Sequence, residues 1–173
     1  SSLELAYLEN GKIKTAQSFE LGPLALQDYH VLGKSKLEVI KLKLSKINKS
    51  FPNKINSLFL VGGCWRGMAK IHMNLTNYPL KVLQGYKVLV KNFDPTLEFI
   101  SNTKNTEILQ ITSSSEERVK LLPDACIVLK AIYEKFCPRE LFFSGYGIRE
   151  GIIFCQFNNE IKKLDPLLQA CLY

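Results

Sequence analysis

The stretch Leu60-Val61-Gly62-Gly63-Cys64-Trp65-Arg66 decides how this 173-residue chain is read. It continues a β-type run that begins at Ser57 and opens into a helical pattern from Trp65 to Leu75. A strand, two glycines and a helix start make a place where main-chain amides can meet an anion. Glycine has no Cβ, so a ligand can approach the backbone closely. The first N–H groups and the positive dipole end of the helix then favour a phosphate. The same glycine pair also suits close strand–helix packing, so these residues alone leave both readings open.

Outward from that centre, the pattern alternates between strands and helices. Leu3–Leu8 predicts a strand, Asn10-Gly11 a tight hairpin turn, and Lys12–Glu20 the antiparallel partner. Gly22-Pro23 breaks the chain before a short helical turn over Leu24–Tyr29. Leu37, Ile40, Leu44 and Ile47 recur at helical spacing, predicting a helix over Lys34–Ser50 that Pro52 ends. Val82–Val90 predicts a strand, and Asp94-Pro95-Thr96 a helix start running to about Ser101. Asn102–Ile111 fits no single template. Ser113-Ser114-Ser115 precedes Glu116-Glu117 as a helix entry, and Pro123 separates that piece from a second helix over Asp124–Phe136. Glu140–Ser144 predicts a strand, Gly145–Gly147 a turn and Ile148–Phe154 a short helix. A hairpin and then strand–helix alternation predict an α/β domain with a mixed sheet flanked by helices.

Composition excludes several classes. The length fits one domain, able to bury roughly 70% of its unfolded surface. Hydrophobic residues make up 46% and charged residues 23%, ordinary for a globular chain, and no apolar run approaches the ~18 residues of a membrane span. The five cysteines are odd in number and irregularly spaced, without a Cys-x-x-Cys pair. That pattern predicts reduced thiols in a cytoplasmic protein rather than a zinc site. None of Cys64, Cys126, Cys137 or Cys155 has an arginine six positions on; Lys70, Ile132, Phe143 and Ile161 stand there, which excludes a thiolate phosphatase.

The net charge of +7 is concentrated. Lys34–Lys54 holds seven lysines against one acid, Glu38, a local +6. Lys34, Lys36, Lys41 and Lys43 either solvate a helix face or steer a polyanion by long-range attraction. No aromatic residue interleaves with them before Phe51, which argues against nucleic-acid bases as the ligand.

The runs Leu60–Arg66 and Tyr78–Tyr86 (YPLKVLQGY) together resemble the second half of the Ppx/GppA phosphatases, the exopolyphosphatases and guanosine pentaphosphate phosphohydrolases. Arg118 with Leu122-Pro123, Phe143–Gly151 (FSGYGIREG) and Asp165–Leu168 (DPLL) resemble further family blocks in the same order. Ser2–Leu5 (SLEL) resembles the end of the family's Asp-x-Gly-Gly-Gly-Ser-x-Glu-Leu phosphate motif, with Ser1 standing where a glycine is usual. The resemblance implies an actin-like ATPase (ribonuclease H-like) domain, the second of a pair that closes around a ligand cleft. An N-terminal domain and any helical C-terminal domain would then lie outside residues 1–173. The isolated domain would bind weakly and catalyse nothing alone.

The same resemblance implies the roles of the candidate residues. Glu4 would face the cleft as a catalytic carboxylate and handle Mg²⁺ or water, although on residues alone it is also the outward member of an alternating strand. Ser2, Gly62, Gly63, Arg66 and Arg118 would bind phosphate. Cys64 departs from the family's usual Thr or Ser, and Trp65 reads as core or a domain-boundary plug. Arg149 and Glu150 read as structural, and His72 as a packed or surface histidine. The implied reaction is Mg²⁺-assisted attack of water on the terminal phosphate of polyphosphate or guanosine pentaphosphate. The implied partners are the N-terminal domain of the same protein and, through other regions, a second copy in a homodimer. Two rivals stand beside this reading: another actin-like enzyme, such as a sugar kinase or ATPase, and a non-catalytic module holding polyanions on Lys34–Lys54.

Overall fold

A computed structural model describes residues 2–27, 35–112 and 114–156. The chain forms β1 (Leu3–Glu9), β2 (Lys12–Phe19), α1 (Pro23–Gln27), α2 (Lys36–Ser45), β3 (Ser57–Val61), α3 (Gly63–Leu75), β4 (Tyr86–Leu89), α4 (Val90–Asn102), α5 (Asn105–Ile111), α6 (Glu116–Lys120), α7 (Leu122–Phe136), β5 (Glu140–Ser144) and α8 (Ile148–Gln156). β1 and β2 make an antiparallel hairpin through Asn10 and Gly11, which both adopt positive φ as a two-residue turn requires. β3, β5 and β4 form a second sheet in that order, β5 parallel to β3 and antiparallel to β4. The sheet is therefore mixed and flanked by helices.

Two apolar cores meet at α7. Ala125, Cys126 and Leu129 on one side of this helix join the core beneath β3–β5–β4, with Met68, Phe93, Leu97 and Phe143. Val128, Ala131, Ile132 and Phe136 on the other join Leu3, Phe19, Ile40 and Leu44 under the hairpin and α2. Trp65 packs, partly buried, against both cores, as the core reading of this residue expects.

Several boundaries differ from those expected. Helix α2 covers Lys36–Ser45 rather than Lys34–Ser50. Its start is set by a capping box: Ser35 Oγ accepts from Glu38 N, and Ser35 N donates to Glu38 Oε2 at 2.8 Å. Strand β4 begins only at Tyr86, because Gly85 turns at φ 74° and the preceding residues are irregular. Pro95 lies inside α4 instead of starting it. A proline there removes one helical hydrogen bond, but Phe93, Thr96, Leu97 and Ile100 bury one face of α4 and hold the helix through it. The undecided stretch before Ile111 contains α5, and Pro123 sits in the first turn of α7, where its missing N–H costs nothing.

Candidate functional site

The C-terminal ends of the parallel strands β3 and β5 lie side by side, and each runs into a glycine turn. After β3, Gly62 caps α3 at φ 141°, a conformation that L side chains rarely adopt. Arg66 N donates to Gly62 O at 3.0 Å, so the amides of Gly63, Cys64 and Trp65 are the first of α3, ahead of its internal ladder. After β5, Gly145 and Tyr146 turn the chain, and a side chain from elsewhere organises them. Gln84 Oε1 accepts from Gly145 N at 2.7 Å and from Ser144 Oγ at 3.3 Å. Gly147 N donates to Glu150 Oε2 at 2.6 Å; hydrogen bonds from Glu150's own amide and then from Gly147 hold this carboxyl below its ordinary range.

The β1 end completes the site. Ser2, Leu3 and Glu4 line a cavity of about 250 Å³ together with Gly22, Pro23, Val61, Gly62, Gly63 and Trp65. Glu4 is exposed on β1 and accepts a hydrogen bond from Ser18 Oγ, its cross-strand partner, at 2.7 Å. Four candidate residues distant in sequence, Ser2, Glu4, Gly62 and Gly63, thus share one cavity.

The arginines are placed differently. Arg118, exposed on α6, lies against Gly63, with Nε 3.4 Å from where a Cβ on that glycine would sit. It borders the helix start rather than lining the cavity. Burial pushes the Cys64 thiol up, only partly offset by the charge of Arg118, so Cys64 is a protonated packing residue. Arg66 donates through Nη1 to Gly145 O at 2.9 Å and ties α3 to the β5 turn.

The lysines of α2 engage carboxylates. Lys36 Nζ meets Asp124 Oδ1 at 2.7 Å and Oδ2 at 3.0 Å in a partly buried pair, Lys41 meets Glu134 at 2.6 Å, and Lys43 meets Glu20 at 3.5 Å. These contacts tie α2 to α7 and to the end of β2. Lys34 lies outside the described residues, as do Ser1, His30, Ser113 and Asp165–Leu168. His72 is buried, with Nδ1 2.6 Å from Thr96 Oγ1 and its ring 5.0 Å from Phe93. Burial lowers its pKa, fitting the packed reading over that of a base. Gln84 was missed as an organiser of the site. Its signal, a polar residue beside Gly85 before a strand, is too short to read without the fold.

The chain matches the Ppx/GppA phosphatase family over residues 1–160. It belongs to that family. Its fold resembles the Ppx/GppA phosphatase of Aquifex aeolicus, with a TM-score of 0.73 at 17% identity, over 91% of this chain and 54% of that one. It also resembles an exopolyphosphatase from Cytophaga hutchinsonii, with a TM-score of 0.74 at 17% identity, over 88% and 53%. Retrograde regulation protein 2 of Saccharomyces cerevisiae is 26% identical over 123 residues, 65% of this chain and 20% of the yeast protein. The fold of this Ppx/GppA domain is thus the actin-like ATPase fold expected of it. The chain spans about half the length of these solved relatives and a fifth of the curated one. Among the described residues no helix is long and apolar enough to cross a membrane.

Proposed function

We propose that this chain is the second domain of a two-domain phosphoanhydride phosphatase that releases terminal phosphate from polyphosphate or guanosine pentaphosphate. The observation that carries this reading is the single cavity shared by Ser2, Glu4, Gly62 and Gly63, in a chain of the Ppx/GppA family. The start of α3 offers backbone donors to phosphate oxygens, and Gly63 keeps the approach free of a Cβ. Arg118 adds a planar cationic fork at the same helix end. Ser2 contributes a hydroxyl at the cavity mouth, and Arg66 acts through the Gly145 turn.

Among the described residues, Glu4 is the one carboxylate lining the cavity. Held by Ser18, it is positioned to orient a water and receive its proton as the phosphorus–oxygen bond forms. Among the described residues no cluster of three or more His, Cys, Asp or Glu makes a protein-only metal cage. A lone exposed carboxylate beside phosphate-binding amides suits Mg²⁺, which keeps several waters and is held by one or two carboxylates plus substrate phosphates. Mg²⁺ held by Glu4 would neutralise charge on the phosphate oxygens. The N-terminal domain of the same cytoplasmic protein would close the cleft and supply the remaining catalytic groups.

The test is phosphate release from polyphosphate and from guanosine pentaphosphate by the longer protein, with and without Mg²⁺. Glu4→Gln should lower release by about a hundredfold or more while leaving the far-UV spectrum unchanged. Retained activity in that variant sinks the assignment of Glu4. Transfer of phosphate from ATP to a sugar, with no release from either polyphosphate, would favour the sugar-kinase alternative.

A further inference from the structure

The turn that follows β5 is gripped from two sides by side chains of other elements. Gln84 stands where the irregular 76–85 stretch enters β4. Its backbone is fixed there: Gly85, at φ 74°, donates through N to Phe143 O at 3.1 Å, and Tyr86 N donates to Leu83 O at 3.1 Å. The side chain then reaches the end of β5. Two backbone donors meet Gln84 Oε1, Gly145 N at 2.7 Å and Tyr146 N at 3.4 Å. Only the oxygen of the amide can accept from N–H groups, so the side chain has one orientation. From the other side Arg66 Nη1 donates to Gly145 O at 2.9 Å. The two contacts hold different peptide units, 144–145 through its N–H and 145–146 through its C=O. Together they fix both planes that flank Gly145.

The turn matters because of what Arg66 carries with it. Arg66 directly follows Gly63, Cys64 and Trp65, whose amides open α3. Behind them the chain comes from β3 through Gly62 at φ 141°, a residue type with the widest backbone freedom. Full burial along α3 begins only at Gly67, so its first turn is held by less packing than the rest of the helix. The bond from Arg66 to Gly145 gives that turn a second attachment, and Gln84 holds the attachment point still. The β5 turn does not compete for phosphate. Gln84 already accepts from the amides of Gly145 and Tyr146, and Glu150 from that of Gly147.

We propose that Gln84 is a positioning residue for phosphate release: through Gly145 and Arg66 it fixes the first turn of α3, and with it the place of the amide donors. The proposal rests on the phosphatase reading of that site. Gln84 does not line the 250 Å³ cavity and acts only through the β5 turn. A neutral amide suits the task, because its oxygen accepts at every pH and brings no charge near an anion. Displacing the donors by a fraction of an ångström costs rate without removing any group that touches substrate.

Phosphate release from polyphosphate by the longer protein tests this, read beside the NMR signals of the Gly63, Cys64 and Trp65 amides. Gln84→Leu removes the acceptor and should lower kcat about tenfold, with KM changed less, and shift those signals. Gln84→His restores an acceptor only while the ring is neutral. Its kcat should approach that of the unaltered protein at pH 8 and fall to the Gln84→Leu level below about pH 6.5. Arg66 and Glu150, the charged groups at the turn, keep their charges across that range. A guanidinium stays protonated, and hydrogen bonds from Glu150's own amide and from Gly147 hold its carboxyl below the ordinary range. A purely structural part for Gln84 gives no rescue that depends on pH. Equal kcat in Gln84→Leu and the unaltered protein overturns the proposal, and so does a loss in Gln84→His that is flat with pH. If Gln84→Leu does not fold, the Gln84→His profile decides alone. The amide signals separate this proposal from the phosphatase reading. Signals that move while the unaltered protein releases no phosphate sustain the link from Gln84 to α3 and sink the phosphatase. Signals that stay in place in an active enzyme do the reverse.

Discussion

Arg118 lies against the open side of Gly63, its Nε 3.4 Å from the position of an added Cβ. That separation is ordinary van der Waals contact, so alanine fits at residue 63 with little strain. At residue 62 a Cβ meets Trp65 Cδ1 at the same distance, but the backbone is at φ 141°. Gly63→Ala should keep stability within about 0.5 kcal/mol, since alanine is the better helix former. Gly62→Ala should cost about 1–3 kcal/mol. Urea unfolding separates the two, and phosphate release by the longer protein should fall in both. Full activity in Gly63→Ala would mean that no phosphate approaches that amide.

Glu4→Gln should lower phosphate release by about a hundredfold or more, the scale of a lost general base. Ser18→Ala, which removes only the hydrogen bond that orients Glu4, should cost far less and should act on kcat rather than KM. Equal losses in the two variants would assign Glu4 a structural part in the hairpin.

His72 makes stability depend on pH. Burial lowers its folded-state pKa below the ordinary value of 6.5. The unfolded chain then binds a proton below about pH 6.5 that the folded chain refuses, so the stability it contributes is full above that pH and declines as pH falls toward the folded pKa. The slope is at most about 1.4 kcal/mol per pH unit. His72→Gln should flatten the part of the profile that falls as pH drops below 6.5. An unchanged slope would put the titration elsewhere.

Cys137 caps α7 at φ 47°, in the left-handed region, while its side chain is exposed. Cys137→Gly should raise stability by about 1 kcal/mol, because glycine adopts this conformation without the Cβ penalty. A fall in the urea midpoint would show that the thiol packs better than its exposure indicates.

Lys36 and Asp124 are nearly buried together, with side-chain exposures of 20% and 13%. Lys36→Met should cost about 1–3 kcal/mol by leaving the carboxylate short of a partner. Binding of polyphosphate to the longer protein should change little, since the lysine is already occupied. A variant of normal stability with weakened, salt-sensitive binding would assign Lys36 the steering role instead.

Most local structure was legible because short-range chemistry sets it. Asn10-Gly11 selects a hairpin turn through positive φ at both residues, and Pro123 can sit only at a helix start or break. The apolar spacing placed α2 but not its start, which the Ser35–Glu38 capping box sets two residues after the expected boundary. Pro95 misled because its cost is local and modest, whereas burial of Phe93, Leu97 and Ile100 is collective and larger.

The sequence by itself determined the alternation of strands and helices, the family, and which residues could meet a phosphate, because backbone preference and motif spacing lie within a few consecutive residues. Only the tertiary structure decided that Glu4 and Gly63, 59 positions apart, line one cavity. It also decided that Arg66 reaches the Gly145 carbonyl and that Lys36 faces Asp124. Those outcomes depend on how β1, α2 and α7 pack around two cores. No local signal encodes which charge will meet which across such a distance, since the pairing is set by the burial that brings the elements together.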